Sequence, residues 1–382
     1  MHTLIVSETL SHMKLWAQSQ QQLGNTVGVY TTKPKFTLHG FPKDIEYHFV
    51  PGPVQLLRGA MMNRLQIPRS MYDWDSAFFD KLTARVLSKS DIVLGAASSS
   101  LLTARAAQRK GAKFVLDRAC PHIQVQEALN KDAAKLVGGT FNAAPDWFLQ
   151  RQLEEYAESD YIVVPSEYTK RSFSPEIQAK IFILRLTGTT STLPAPLPKP
   201  DRPFTVGCVG GAPLRKGYVY LLEAWKQLGW TDAQLLLRTS ETRIKQFPVL
   251  EKLIAEQPNI QVVDYVPDIA DFYQRCDAFI LPSIDDGFGL ALFEAAGQGI
   301  PCIVTTNCGS SELLEPETEA LVIEPFSPEA IKTALTRLRE SPELRATLAE
   351  GGLRKVRMLG GGSSESLYTQ GVRQLMEHAF PS

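Results

Sequence analysis

The chain has 382 residues, 44% of them hydrophobic, enough to fill two cores, and two domains are the expected organisation. Forty basic against forty-one acidic side chains leave a net charge of −1, which argues against nucleic acid as a partner, because such proteins usually carry a basic excess. Five scattered cysteines, Cys120, Cys208, Cys276, Cys302 and Cys308, fit reduced thiols better than a disulfide framework or a zinc site.

The chain starts directly with a strand pattern at 4–6. No basic stretch followed by an apolar core precedes it, so no signal peptide is expected. No run of about eighteen apolar residues suggests a spanning helix. A cytoplasmic location follows as the expectation. The turn at 7–11 holds no glycine, whereas a nicotinamide dehydrogenase would need a glycine-rich turn there to approach a pyrophosphate. A helix over 14–23 and a strand over 25–30 come next. From 51 to 81 apolar and aromatic residues interleave with Arg58, Arg64, Arg69 and Lys81. This reads either as an acceptor-binding or membrane-facing surface or as plain helix packing with solvated cations.

Residues 91–95 read as a strand, and the run 96–100 as a helix start capped by a serine. Another strand over 113–117 leads to Arg118 and then His122. Open α/β sheets hold ligands just past the carboxyl ends of their strands. His122 is therefore a candidate for chemistry, with an ordinary surface histidine as the alternative and Arg118 as a weaker companion. The strand 160–164 is followed by a second serine cap at Ser166. Five prolines between 186 and 204 deny helix and sheet hydrogen bonding and mark a linker.

The second half opens with a strand over 204–209 that ends in Gly210 and Gly211. Arg215 and Lys216 follow at the start of a helix. Cations there oppose the helix macrodipole, so a bound anion would explain them; two surface cations are the alternative. Strands over 234–237 and 260–263 and a short helix over 269–275 precede the apolar run 278–281. Then comes Asp285-Asp286-Gly287-Phe288-Gly289-Leu290, and a helix in which Leu290, Phe293 and Gly297 recur at helical spacing until Gly299 and Pro301 end it. A strand, an acidic glycine loop and a helix start make an anion site from unpaired N–H groups and the dipole. Glu294 stands eight residues after Asp286, about two turns into that helix. Strands over 302–306 and 320–323 complete the sheet. Helix follows from Pro328, a break is expected at 360–362, and a last helix carries Leu367, Gly371, Leu375 and Met376 on one face.

Asp286-Gly287-Phe288-Gly289-Leu290, Glu294-Ala295 and Gly299-Ile300-Pro301 together resemble the signature of retaining glycosyltransferases of family 4. The resemblance covers most of 90–380, and the first ninety residues match in layout alone. It implies an α/β GT-B fold of two Rossmann-like, doubly wound domains facing across a cleft. The expected division is 1–190 for an acceptor-side domain, 191–203 for the linker, 204–362 for a nucleotide-sugar domain, and 363–382 for a helix that returns to the first domain.

The resemblance also implies roles. Gly287, Phe288, Gly289 and Leu290 would offer amides to donor phosphates and sugar, and Glu294 would bond the ribose. Gly210 and Gly211 would line the diphosphate, with Lys216 as a point charge on it. Gly211 stands where the family usually has arginine, so Arg215 is expected to supply that guanidinium from the next turn. His122 and Asp286 are the expected catalytic pair, positioning the sugar and shielding an oxocarbenium-like transition state. Asp286 replaces the family's usual Glu and reaches one methylene less far. The glycine pair that many relatives carry after the first strand is missing.

The implied reaction moves a sugar from a UDP- or GDP-sugar to a glycan, lipid or small-molecule acceptor hydroxyl. It retains configuration and uses no metal or other cofactor. Peripheral contact with the inner face of a membrane would run through the first domain. A GT-B epimerase or hydrolase, or a catalytically inactive sugar-nucleotide-binding subunit, would share these features.

Overall fold

The computed structural model describes residues 1–10, 12–52, 69–137, 143–186, 202–264, 268–361 and 366–381. Two parallel sheets organise them. The first contains β1 (His2–Val6), β2 (Thr26–Thr31), β3 (Glu46–Phe49), β4 (Ile92–Ala96), β5 (Lys113–Asp117), β6 (Tyr161–Val164) and β7 (Ile181–Ile183), in the order β3-β2-β1-β4-β5-β6-β7. The second contains β8 (Phe204–Val209), β9 (Ala233–Arg238), β10 (Ile260–Val263), β11 (Ala278–Leu281), β12 (Cys302–Thr305) and β13 (Leu321–Ile323), in the order β10-β9-β8-β11-β12-β13. Each order reverses once, between β1 and β4 and between β8 and β11, and doubly wound sheets open their ligand crevice at that point.

Sequence explains the centre of each sheet. The β4 residues Ile92, Val93 and Leu94 and all four residues of β11 are buried, as strands covered by helices on both faces must be. Register pairs Val6 with Tyr30 on one side and with Gly95 on the other. Edge strands are less apolar. β3 reads Glu-Tyr-His-Phe and has two exposed positions, which suits an edge and gives little signal in the sequence.

Two local expectations need correction. Ser100 precedes the helix Leu101–Arg109 but its hydroxyl turns back to the Ala96 carbonyl at 2.7 Å. Carboxylates from other helices cap this start instead: Glu155 accepts from the Ser98 and Ser100 amides at 2.6 and 2.9 Å, and Asp80 from those of Leu102 and Thr103 at 2.7 and 2.8 Å. The helix Pro342–Gly361 runs through Gly360 and Gly361, where a break was expected. Packing of Val356 and Leu359 against the core offsets a cost of about 1 kcal/mol per helical glycine.

The last helix, Leu367–Ala379, crosses to the first domain. Its Thr369 hydroxyl lies 2.8 Å from that of Ser19, and Gln20 Nε2 donates to Met376 Sδ. One apolar cluster runs from Val163 and Leu184 in the first domain through Tyr368 and Val372 to Phe288 and Leu292 in the second. Of the expected linker at 191–203, only Arg202 and Pro203 fall among the described residues, and Arg202 is anchored to Asp277 at 3.0 Å.

Candidate active site

The acidic glycine loop leaves β11 and enters the helix Leu290–Gly297 through Gly289, whose φ of +82° belongs to the left-handed region. A Cβ there would also stand 2.3 Å from Cys308 Sγ, so only glycine fits. At Gly287 a Cβ would lie 1.9 Å from the Ala119 carbonyl oxygen of the first domain. The loop is thus pressed against the opposite domain, beside Cys120.

Asp286 is fixed by backbone and by charge. Its amide donates to the Asn307 carbonyl at 3.0 Å, and its Oδ1 accepts from the Phe288 amide at 3.3 Å. Its Oδ2 is ion-paired with Lys216 Nζ. Burial opposes the charged form of Asp286, but Lys216 and Arg215 outweigh it and hold the carboxyl below its usual range. The turn carrying these cations is tied to the same loop, since the Ile284 amide donates to the Arg215 carbonyl at 3.0 Å. Arg215 Nη1 donates to the Asp285 carbonyl at 3.4 Å and lies 3.8 Å from Cys120 Sγ.

The structure therefore brings Arg215, Lys216, Asp286, Gly287 and Gly289 together. Gly210 belongs to the same turn: its carbonyl accepts from the Tyr218 hydroxyl at 3.1 Å. A second guanidinium, besides that of Arg215, reaches Gly211. Arg243, from the short helix Glu241–Ile244 after β9, donates to the Gly211 carbonyl, while Arg215 points toward the first domain. Phe288 is buried and stacks on Phe293 at 5.5 Å, and its amide is taken by Asp286. Leu290 is partly exposed at the helix start.

Glu294 and His122 stand apart from this cluster. Glu294 is exposed and accepts from the buried Tyr273 hydroxyl at 2.8 Å. His122 is the N-cap of the helix Ile123–Leu136, its Nδ1 accepting from the Gln124 amide at 3.3 Å. Its ring packs against Tyr156 and edge-on against Phe173, with centroids 5.0 and 5.1 Å away. Burial, with help from the Arg118 charge, pushes its pKa down to about 4, so the imidazole is neutral at pH 7.

Several residues that sequence reasoning did not single out complete the seam. Ser166 and Thr169 hydroxyls donate to the Gly287 carbonyl at 2.7 and 3.3 Å. Gln126 Nε2 donates to Asp285 Oδ2 at 3.1 Å, and Arg118 Nη2 holds Gln126 Oε1 at 3.1 Å. Glu312 accepts from the Glu167 and Tyr168 amides and pairs with Arg171 at 3.3 Å. Most of these contacts join distant segments; of the residues making them, Arg118 and the cap at Ser166 were visible in the sequence, and the contacts themselves were not. The resemblance also implies a nucleobase contact at 264–267, of which only Asp264 falls among the described residues. Among the described residues no group of three His, Cys, Asp or Glu could hold a metal ion, and no helix is long and apolar enough to cross a membrane.

Two doubly wound parallel domains meeting at such a seam define the GT-B architecture. The computed structure superposes on sucrose-phosphate synthase from Thermosynechococcus elongatus with a TM-score of 0.73 and 17% identity, covering 99% of this chain and 98% of that one. HepE from Anabaena, solved in complex with UDP and glucose, gives 0.69 and 12%, over 99% and 100%. Residues 190–355 match the model of the family described as glycosyl transferases group 1. A curated relative is the capsular polysaccharide biosynthesis glycosyltransferase CapM of Staphylococcus aureus, 24% identical over 40% of this chain and 41% of its own length. The chain spans less than half the length of the curated relatives it matches first.

Proposed function

We propose that this chain transfers a hexose from a nucleoside diphosphate to an acceptor hydroxyl, retaining the anomeric configuration in the manner of glycosyltransferase family 4, without a metal ion. The observation that carries this reading is the convergence of Arg215, Lys216 and the start of helix Leu290–Gly297 on one loop within the group 1 domain. As the glycosidic bond breaks, charge gathers on the leaving diphosphate. Two cations and the unpaired amides of a helix start, fixed before the donor arrives, stabilise that charge at little reorganisation cost. Asp286 holds Lys216 in place and faces the departing sugar. His122, neutral at pH 7, contributes a hydrogen bond rather than a charge. Glu294 bonds the ribose.

A glycan, lipid or small-molecule acceptor falls to the first domain, as does any contact with the inner face of a membrane from a cytoplasmic position. UDP-sugars are the first donors to try, since HepE was solved with UDP and glucose. The test is a screen of UDP-, GDP- and ADP-sugars against glycan and lipid acceptors in excess EDTA, with the product's anomeric configuration read by NMR. Transfer in EDTA with the donor's configuration kept is expected. Activity that vanishes with chelator and returns with Mg²⁺ or Mn²⁺ contradicts the metal-free claim, and an inverted product contradicts retention. Sugar release that ignores every acceptor replaces the transferase reading with a hydrolase.

A further inference from the structure

Gly211 holds the position that the resembled family usually fills with arginine, and the space beside it is taken. The three atoms nearest to a Cβ at 211 would all belong to the Arg243 guanidinium: Nη1 at 3.0 Å, Cζ at 3.3 Å and Nε at 3.8 Å. Arg243 comes from the short helix after β9, and its Nη1 donates to the Gly211 carbonyl. The guanidinium thus lies where a side chain at 211 would begin, and any such side chain would crowd it. The φ of Gly211 lies outside the left-handed region, so what this glycine supplies is room.

The place is open to a ligand, since Gly211 and Arg243 are both exposed. Among the described residues the guanidinium bonds the Gly211 carbonyl and makes no ion pair, while Glu241, two residues before it, pairs with Lys245 at 3.3 Å. Nε and Nη2 remain available. Lys216 is the neighbour: a Cβ on Gly210 would stand 2.5 Å from Lys216 Cγ. The lysine stem therefore lies on one glycine and the guanidinium on the next, over Cα atoms about 3.8 Å apart. A planar fork of N–H donors beside a point charge suits two linked phosphates.

We propose that Arg243 binds the donor's diphosphate beside Lys216, supplying from the end of β9 the guanidinium that the family usually places at 211. The assignment rests on the nucleotide-sugar reading of the cleft and adds a third cation to Arg215 and Lys216. It also explains why glycine stands at 211: an arginine there and Arg243 would compete for one space.

Calorimetry with UDP, GDP and ADP first finds the diphosphate that the full chain binds tightest. Arg243→Ala is expected to lose about tenfold in affinity for it, with the urea midpoint unchanged because the side chain is exposed. Gly211→Arg in the Arg243→Ala background then puts a guanidinium at the family's usual position, in space the first substitution has cleared. Affinity should return to within about threefold of wild type, as a restored fork requires.

Arg243→Ala that binds like wild type overturns the proposal, and so does a double variant that fails to regain affinity. Binding lost together with a lowered urea midpoint would make Arg243 a support of the turn and overturn it too. A wild-type chain that binds none of the three diphosphates overturns the nucleotide-sugar reading and this assignment with it. Binding weakened by Lys216→Ala but not by Arg243→Ala overturns this assignment alone.

Discussion

Lys216 and Asp286 hold each other with 12% and 11% of their side chains exposed. Burying both charges costs hydration that their attraction roughly repays, but removing one partner strands the other. Lys216→Ala is therefore expected to destabilise the fold by about 3 kcal/mol and to weaken diphosphate binding by about 1.5–3 kcal/mol. Denaturant unfolding and calorimetry check the two numbers separately; an unchanged midpoint would mean that the pair is not closed in solution. His122 offers a different handle. Its folded pKa of about 4 lies below the unfolded value of 6.5, so the unfolded chain binds more protons between them. Its contribution to stability is complete above pH 6.5 and lost as pH falls toward 4. Imidazole NMR should show His122 still neutral at pH 5, and titration near 6.5 would contradict its buried setting.

At the scale of elements, the start of helix Leu101–Arg109 depends on carboxylates far away in the chain. Glu155 accepts two amide N–H groups there, so Glu155→Ala leaves two buried donors without a partner. Each costs about 1–3 kcal/mol, so urea unfolding should show a loss of about 2–6 kcal/mol; a shift below about 0.5 kcal/mol would mean that water takes over the capping. Sequence reading placed a serine cap here because a local signal was present. The actual cap comes from residues with no local signal. Strands behave likewise: β5, β6 and β10 were legible from their apolar runs, whereas β3 and β7 are short edge elements recognisable mainly through their pairing. The cation turn and the glycine loop were readable because a helix start and a left-handed glycine demand particular residues. Arg243 on Gly211, Gln126 on Asp285 and Glu312 on the 167–168 amides were not, since each joins segments that periodicity does not connect.

For the molecule as a whole, the two domains are joined by an apolar cluster, by the returning helix and by the polar seam around Gly287. Gly371 lets that helix approach β7: a Cβ there would stand 2.7 Å from Leu184 Cδ2 and 3.0 Å from the Ile183 carbonyl oxygen. Gly371→Val should overpack this contact and cost about 1–3 kcal/mol, seen as a lower thermal midpoint. No change would mean that the helix does not dock so closely. The central claim, however, is that the loop from Pro282 to Leu290 and the turn at Arg215 and Lys216 grip a nucleoside diphosphate together. Hydrogen–deuterium exchange with and without saturating UDP or GDP, whichever raises the melting temperature, tests it directly. Slower exchange at 209–217 and 282–297 is the result this account requires; protection confined to other segments, with both of these unchanged, would contradict it.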